Sequence, residues 1–221
     1  MKNIYLVRHG ESVANVDPTV YQTTADHAVP LSERGLRQAT AAGARLRELI
    51  DIPAGERLRV WNSPYKRTRQ TAAALLAELK QRFTAVDEKE HIKLCEQQFG
   101  LFDGIPEEEL PIRFPLEYAH YKRAEDHEGR FWARMPLGES RFDVASRVHD
   151  TFGTFLRDSE RRGVDNIVVV CHGVTLRAFV MMWRHMEYEW FDREKNPGNC
   201  DIYHLPQKSM GSYIYRGGEV L

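Results

Sequence analysis

Cysteine is scarce: Cys95, Cys171 and Cys200 form an odd set with no paired spacing. That excludes a disulfide framework, and buried, reduced thiols are expected instead. An excess of one charge sign is also missing, since 31 Lys and Arg against 32 Asp and Glu leave a formal net charge of -1. So weak a field favours neither nucleic acid nor an anionic membrane as a partner. No apolar run approaches the roughly 20 residues of a membrane span, and a first strand opening at Lys2 or Asn3 leaves no room for a leader. The His149-Asp150 pair lies in mid-helix without the second pair that a metal hydrolase needs, and no other metal-ligand spacing occurs. No repeat, low-complexity tract or linker divides the chain. These absences predict a cytoplasmic protein with neither metal nor cofactor, folded as one domain over 1–221. At 42% hydrophobic and 29% charged residues, the chain can bury a sizeable core.

What is present begins with Ile4-Tyr5-Leu6-Val7, a short buried strand that runs directly into Arg8-His9-Gly10-Glu11-Ser12. A histidine ring nitrogen is a nucleophile, and an arginine fork matches phosphate oxygens. A glycine lets backbone approach a ligand closely. The stretch therefore reads as a phosphate site. From 15 to 30 the composition indicates a long loop, and such loops carry function. Ser32 then caps a helix that places Leu36, Ala39, Gly43, Leu46 and Ile50 on an apolar stripe and stops before Pro53.

Leu58 to Trp61 reads as a strand, followed by Asn62-Ser63-Pro64 opening a helix with Pro in its first turn. Arg67 then falls near a helix N-terminus, where free N–H groups and the dipole attract phosphate. His91 to Cys95 alternates like a strand and presents Glu96 at its end. Residues 97 to 139 look like an insert over the active site, with short helices and loops, one helix falling within 116 to 125. Its Arg113, Lys122, Arg123, Arg130 and Arg134 are candidates for a substrate mouth, nearly cancelled by Glu117, Glu125, Asp126 and Glu128.

Ser140 caps a second clear helix with Asp143 in the reciprocal position, and Phe142, Ala145, Val148, Phe152 and Leu156 form its expected buried face. Ile167 to Cys171 is a continuous apolar run, the mark of a central parallel strand. It ends in His172, and Gly173 begins another helix. A short helix near 187 to 193 and strands near 200 to 205 and 212 to 216 complete the chain.

Strands alternating with helices predict a three-layer α/β/α fold with a mainly parallel central sheet. Such sheets bind ligands beyond the carboxyl ends of their strands. Four strand ends carry Arg8 with His9, Arg67, Glu96 and His172, and two histidines, two arginines and a carboxylate at one edge point to chemistry more than to structure.

The motifs together resemble the histidine phosphatase superfamily, in the branch that also holds the cofactor-dependent phosphoglycerate mutases. The matching pieces are Leu6 to Ser12 with Asn15, Pro30 to Ala39, Ser63 to Ala72, Gly138-Glu139-Ser140 and Val168 to Gly173. The resemblance implies His9 as the phosphorylated nucleophile, with Arg8, Arg67 and a protonated His172 around the transferring phosphoryl group. Glu96 is implied as the acid that protonates the leaving group and later activates water. Asn15, Ser12 and Gly173 are further candidates for phosphate contact. A phosphorylated small molecule is the implied partner, and the resemblance leaves room for a homodimer.

Residues 97 to 139 do not reproduce the basic motifs with which the mutases grip phosphoglycerate. This favours a metal-independent phosphomonoesterase over the alternative, a mutase-type phosphotransferase. A phosphate-binding protein without catalysis would be expected to lack at least one of the five central residues, and all five are present.

Overall fold

The computed structural model describes residues 1–219. Its centre is the pair β1 (Asn3–Arg8) and β4 (Asn166–Cys171), parallel and in register from Asn3 opposite Asn166 to Arg8 opposite Cys171. β2 (Leu58–Asn62) pairs parallel with β4, and β3 (Val86–Glu90) pairs parallel with β2 at one edge. On the other side β5 (Ile202–Pro206) runs antiparallel to β1 and β6 (Ser212–Tyr215) antiparallel to β5. The resulting sheet has six strands in the order β3-β2-β4-β1-β5-β6.

The pleat sorts the apolar runs onto two faces. Ile4 and Leu6 of β1, with Ile167, Val169 and Cys171 of β4, pack beneath α6 (Arg141–Arg162) and α7 (Gly173–Trp183). Tyr5, Val7, Val168 and Val170 face α2 (Glu33–Leu49) and α3 (Lys66–Leu79) on the opposite side. Each fully buried Leu, Ile or Val contributes about 1.5–3 kcal/mol, and it is this double coverage that makes β4 apolar from Ile167 to Cys171. Ser32 caps α2 by accepting from Gly35 N, and Ser140 with Asp143 forms a reciprocal capping box on α6. The three cysteines are free, with Cys171 and Cys200 buried. No helix among the described residues is long and apolar enough to cross a membrane.

Several expectations need correction. His91–Cys95 is not a strand: β3 lies earlier, and Ile92–Leu94 is a 3₁₀ turn with Ile92 exposed. The sequence of β3, Val-Asp-Glu-Lys-Glu, carries too much charge to announce a strand, but an edge strand needs only one ladder, and Asp87 is held by Arg59 of β2. Helix α3 starts at Lys66 with Tyr65 as N-cap, so Pro64 precedes the helix. Leu36, Phe142 and Leu156 are exposed; on α2 the buried stripe is Gly35, Gln38, Ala39, Ala42, Gly43 and Leu46.

The long loop after β1 contains one turn of helix, α1 (Val13–Val16), and 3₁₀ turns at Pro18–Gln22 and Asp26–Ala28. The insert holds α4 (Leu110–Arg113) and α5 (Pro115–Glu128) around a small core of Phe102, Leu110, Tyr121 and Ala133. After α7, α8 (Tyr188–Arg193) leads into a turn at 196–200 that returns the chain to β5.

Candidate active site

The parallel register places the strand ends side by side, so that the residues following β1 and β4, His9 and His172, meet with ring centroids 5.2 Å apart and edge to face. Because β2 is in register with β4, Ser63 follows it to the same edge, and its Oγ lies 2.9 Å from His172 Nε2. Sequence reasoning did not single out Ser63 as a site residue. Its signals were its place just past a strand end and at the head of the matching stretch Ser63 to Ala72.

His9 is 4% exposed, and its Nδ1 lies 2.7 Å from the carbonyl oxygen of Gly10. A carbonyl only accepts, so Nδ1 carries the proton and Nε2 keeps a lone pair. Burial, then Arg67 and Arg8, push the His9 pKa well below its ordinary value, against the opposing bond to Gly10. Packing on the protein itself requires Gly10: a Cβ there would stand 2.4 Å from the carbonyl oxygen of Gly35, in the first turn of α2.

His172 is completely buried, and its pKa is pushed well below the ordinary value by burial and by Arg67, His9, Arg147 and Arg8. Burial and the neighbouring cations thus disfavour the charged form of His172 in the free protein. Its Nδ1 and the Nε of Arg8 are buried without a hydrogen-bond partner. Arg8 donates through Nη1 to the carbonyl of Pro197, and its pKa is lowered chiefly by burial, with Glu96 and Asp201 opposing.

Arg67, the second residue of α3, is 3% exposed and aims its guanidinium at Asp26. Nη1 donates to both the carbonyl oxygen and Oδ1 of Asp26 at 2.7 Å, and Nη2 to Oδ2 at 3.4 Å. Beside this pair Asp103 is pushed up to about 6, by burial and by Asp26. Nothing in the loop sequence marked Asp26, which has no periodic or motif context.

Glu96 follows the 3₁₀ turn and reaches the N-terminus of α7. Val174 N and Thr175 N donate to its carboxylate at 3.4 and 3.3 Å, and Gln97 N at 3.0 Å. Free N–H groups of a helix start suit a carboxylate as they suit a phosphate. Gly173, the first residue of α7, stands beside them. Ser12 is buried and caps α1, while Asn15 Oδ1 accepts from Ser12 N at 3.0 Å and from Asn199 Nδ2 at 3.3 Å. Ser12 thus shapes the loop, and the exposed Asn15 ties it to Asn199. Asn199, also missed, donates to the His9 carbonyl at 3.2 Å, brought there by the antiparallel return into β5.

The insert's basic residues are largely neutralised: Arg113 pairs with Glu109, Lys122 and Arg130 with Glu125, and Arg134 with Asp143. A cavity of about 300 Å³ there is lined by Phe99, Phe102, Tyr118, Tyr121, Lys122 and Arg130 among others. No group of three or more His, Cys, Asp or Glu side chains suited to a metal occurs among the described residues.

Residues 4–216 match the model of the histidine phosphatase superfamily (branch 1). A phosphoglycerate mutase-like protein of Arabidopsis thaliana is 36% identical over 97% of this chain and 77% of its own length. Fructose-2,6-bisphosphatase of Saccharomyces cerevisiae is 31% identical over 85% of this chain and 35% of that protein. Among solved structures, mycobacterial glucosyl-3-phosphoglycerate phosphatase superposes with a TM-score of 0.72 at 20% identity, covering 98% of this chain and 99% of that one.

Proposed function

Since this chain belongs to the histidine phosphatase superfamily, we propose that it hydrolyses a phosphomonoester through a phosphohistidine on His9, releasing inorganic phosphate. The observation that carries this reading is the state of His9: proton on Nδ1, lone pair on Nε2, and a pKa held low by burial and two arginines. Such a ring is a nucleophile at neutral pH without needing a base.

In the proposed first step Nε2 of His9 bonds to phosphorus as the bond to the ester oxygen breaks. Arg8 and Arg67 meet the charge on the non-bridging oxygens, where it resides in the transition state. A bound dianion reverses the positive field that keeps His172 neutral, so substrate binding favours protonation of His172 beside it. Glu96 gives its proton to the departing alkoxide, then takes one from the water that attacks the phosphohistidine. Arg67 must leave Asp26 for phosphate during this cycle.

A mutase-type transfer would use the same steps with an alcohol in place of water. The pairing of the insert's cations with carboxylates disfavours it, because a phosphoglycerate carboxylate needs cations of its own. The test is phosphate release from a panel of phosphorylated metabolites, run beside a phosphoglycerate isomerisation assay with and without a bisphosphorylated primer. Hydrolysis without primer is the expected result; isomerisation that depends on primer would replace this reading with the mutase.

A further inference from the structure

The backbone that carries Glu96 has no sheet ladder to hold it, because β3 ends at Glu90 and only the 3₁₀ turn Ile92–Leu94 intervenes. Its carbonyl groups must find donors elsewhere. A single side chain meets three of them. Arg147, from the second turn of α6, donates Nη1 to the carbonyls of Lys93 at 2.8 Å and Cys95 at 2.9 Å, and Nη2 to that of Glu96 at 3.0 Å.

The rest of the same guanidinium is bound by Glu139, through Nε to Oε1 at 2.8 Å and Nη2 to Oε2 at 2.9 Å. All five N–H groups of Arg147 are thereby used, with only 15% of its side chain exposed. Glu139 also grips the segment from the far side. Its Oε2 accepts from Gln98 N at 3.0 Å, its N donates to Gln98 O at 2.8 Å, and its carbonyl accepts from Gln97 Nε2 at 2.8 Å. The two backbones touch: a Cβ on Gly138 would lie 2.4 Å from Gln98 O, and one on Gly100, at φ +61, 2.1 Å from Pro136 O. Thr175 of α7 completes the hold, with Oγ1 2.7 Å from the Cys95 carbonyl and 3.3 Å from Glu96 Oε1.

We propose that Arg147, oriented by Glu139, is the positioning residue for Glu96, fixing where its carboxylate stands relative to the leaving group. The proposal rests on the reading of Glu96 as proton donor. Arg147 contacts the carbonyls on either side of the Glu96 Cα, so losing it loosens the two peptides that carry the Glu96 side chain, with Thr175 alone left on the Cys95 carbonyl. A misplacement near 1 Å can cost about 10²-fold in a proton transfer. A lysine in its place keeps the charge but offers three donors from one point, and cannot reach three carbonyls and a carboxylate together.

The test compares an alkyl phosphate, whose leaving group needs a proton, with p-nitrophenyl phosphate, whose leaving group does not. Arg147→Lys should lower the alkyl turnover on the order of 10- to 100-fold, while the pre-steady-state burst of nitrophenolate stays within about threefold of the parent. Glu139→Gln, a milder change that keeps the three carbonyl contacts, should show the same bias to a smaller degree and guards against misfolding of the first variant. Combined with Glu96→Gln, Arg147→Lys should cost little more, since the group it positions has already lost its proton. Equal loss of alkyl turnover and of the nitrophenolate burst, full alkyl turnover in Arg147→Lys, or additive losses in the double variant would overturn the proposal. If Glu96→Gln alone slows alkyl turnover and the nitrophenolate burst equally, the assignment of Glu96 as acid fails first; if it discriminates and Arg147→Lys does not, only the positioning role fails.

Discussion

Asp26 lies across Arg67: one guanidinium nitrogen donates at 2.7 Å both to its backbone carbonyl and to Oδ1, so an internal carboxylate occupies the fork that the proposed function assigns to the phosphoryl group. On that reading substrate displaces it. Asp26→Asn keeps the carbonyl contact and removes the competing charge. It should lower KM and tighten inhibition by inorganic phosphate by about tenfold, equivalent to ~1.4 kcal/mol. A raised KM in steady-state assays would mean that Asp26 serves to aim Arg67 and does not compete with the substrate.

The bond between Ser63 Oγ and His172 Nε2 supplies a second expectation. Ser63→Ala leaves a buried imidazole without its protein partner, which costs about 1–3 kcal/mol. Turnover should fall by roughly tenfold or more with little change in aryl-phosphate leaving-group preference, because the loss affects charge on phosphorus and not proton donation. A change confined to alkyl substrates would contradict this assignment.

Stability should respond to acid through the two buried histidines. His9 and His172 both have pKa values pushed well below 6.5 in the folded chain, whereas the unfolded chain titrates near 6.5. Above that pH neither state takes up a proton and these residues add no pH dependence. Below it the unfolded chain binds protons that the native chain refuses, so stability falls by ~1.4 kcal/mol per pH unit for each histidine until the native pKa is reached. Urea unfolding between pH 5 and 6.5 should therefore show His172→Asn with a pH slope smaller than the parent's by about that amount. Identical slopes would mean that His172 is charged in the native protein.

On the proposed function, which assigns the charge of the phosphoryl oxygens to the Arg8 and Arg67 guanidinium groups, chelation should leave turnover unchanged. Activity lost in EDTA and restored by an added metal ion would contradict the arginine-based account.

Much of this arrangement was legible in the sequence wherever local chemistry and long-range packing ask for the same residues. The apolar run of β4 reads as a central strand because both of its faces are covered, and Ser32 and Ser140 read as caps because their partners lie three residues away. Arg8, His9, Arg67 and His172 could be gathered because each ends or follows one of the parallel strands β1, β2 and β4 of one sheet. What escaped depends on partners distant in sequence. β3 is a strand by virtue of β2, despite its charges, and Asp26 and Asn199 reach the site from loops whose course is set by tertiary contacts. The role of Glu139 and Arg147 was hidden for the same reason, as their partners lie across the gap between the insert and the segment of Glu96.

The most direct measurement is rapid acid-free quenching of the enzyme with a ³²P-labelled phosphomonoester, followed by peptide mapping. A base-stable, acid-labile label on His9 that turns over at the steady-state rate and is lost in His9→Ala is the expected result, because attack by Nε2 forms a phosphoramidate. Label that persists in His9→Ala, or an acid-stable ester on Ser12, would contradict the assignment of His9 as nucleophile.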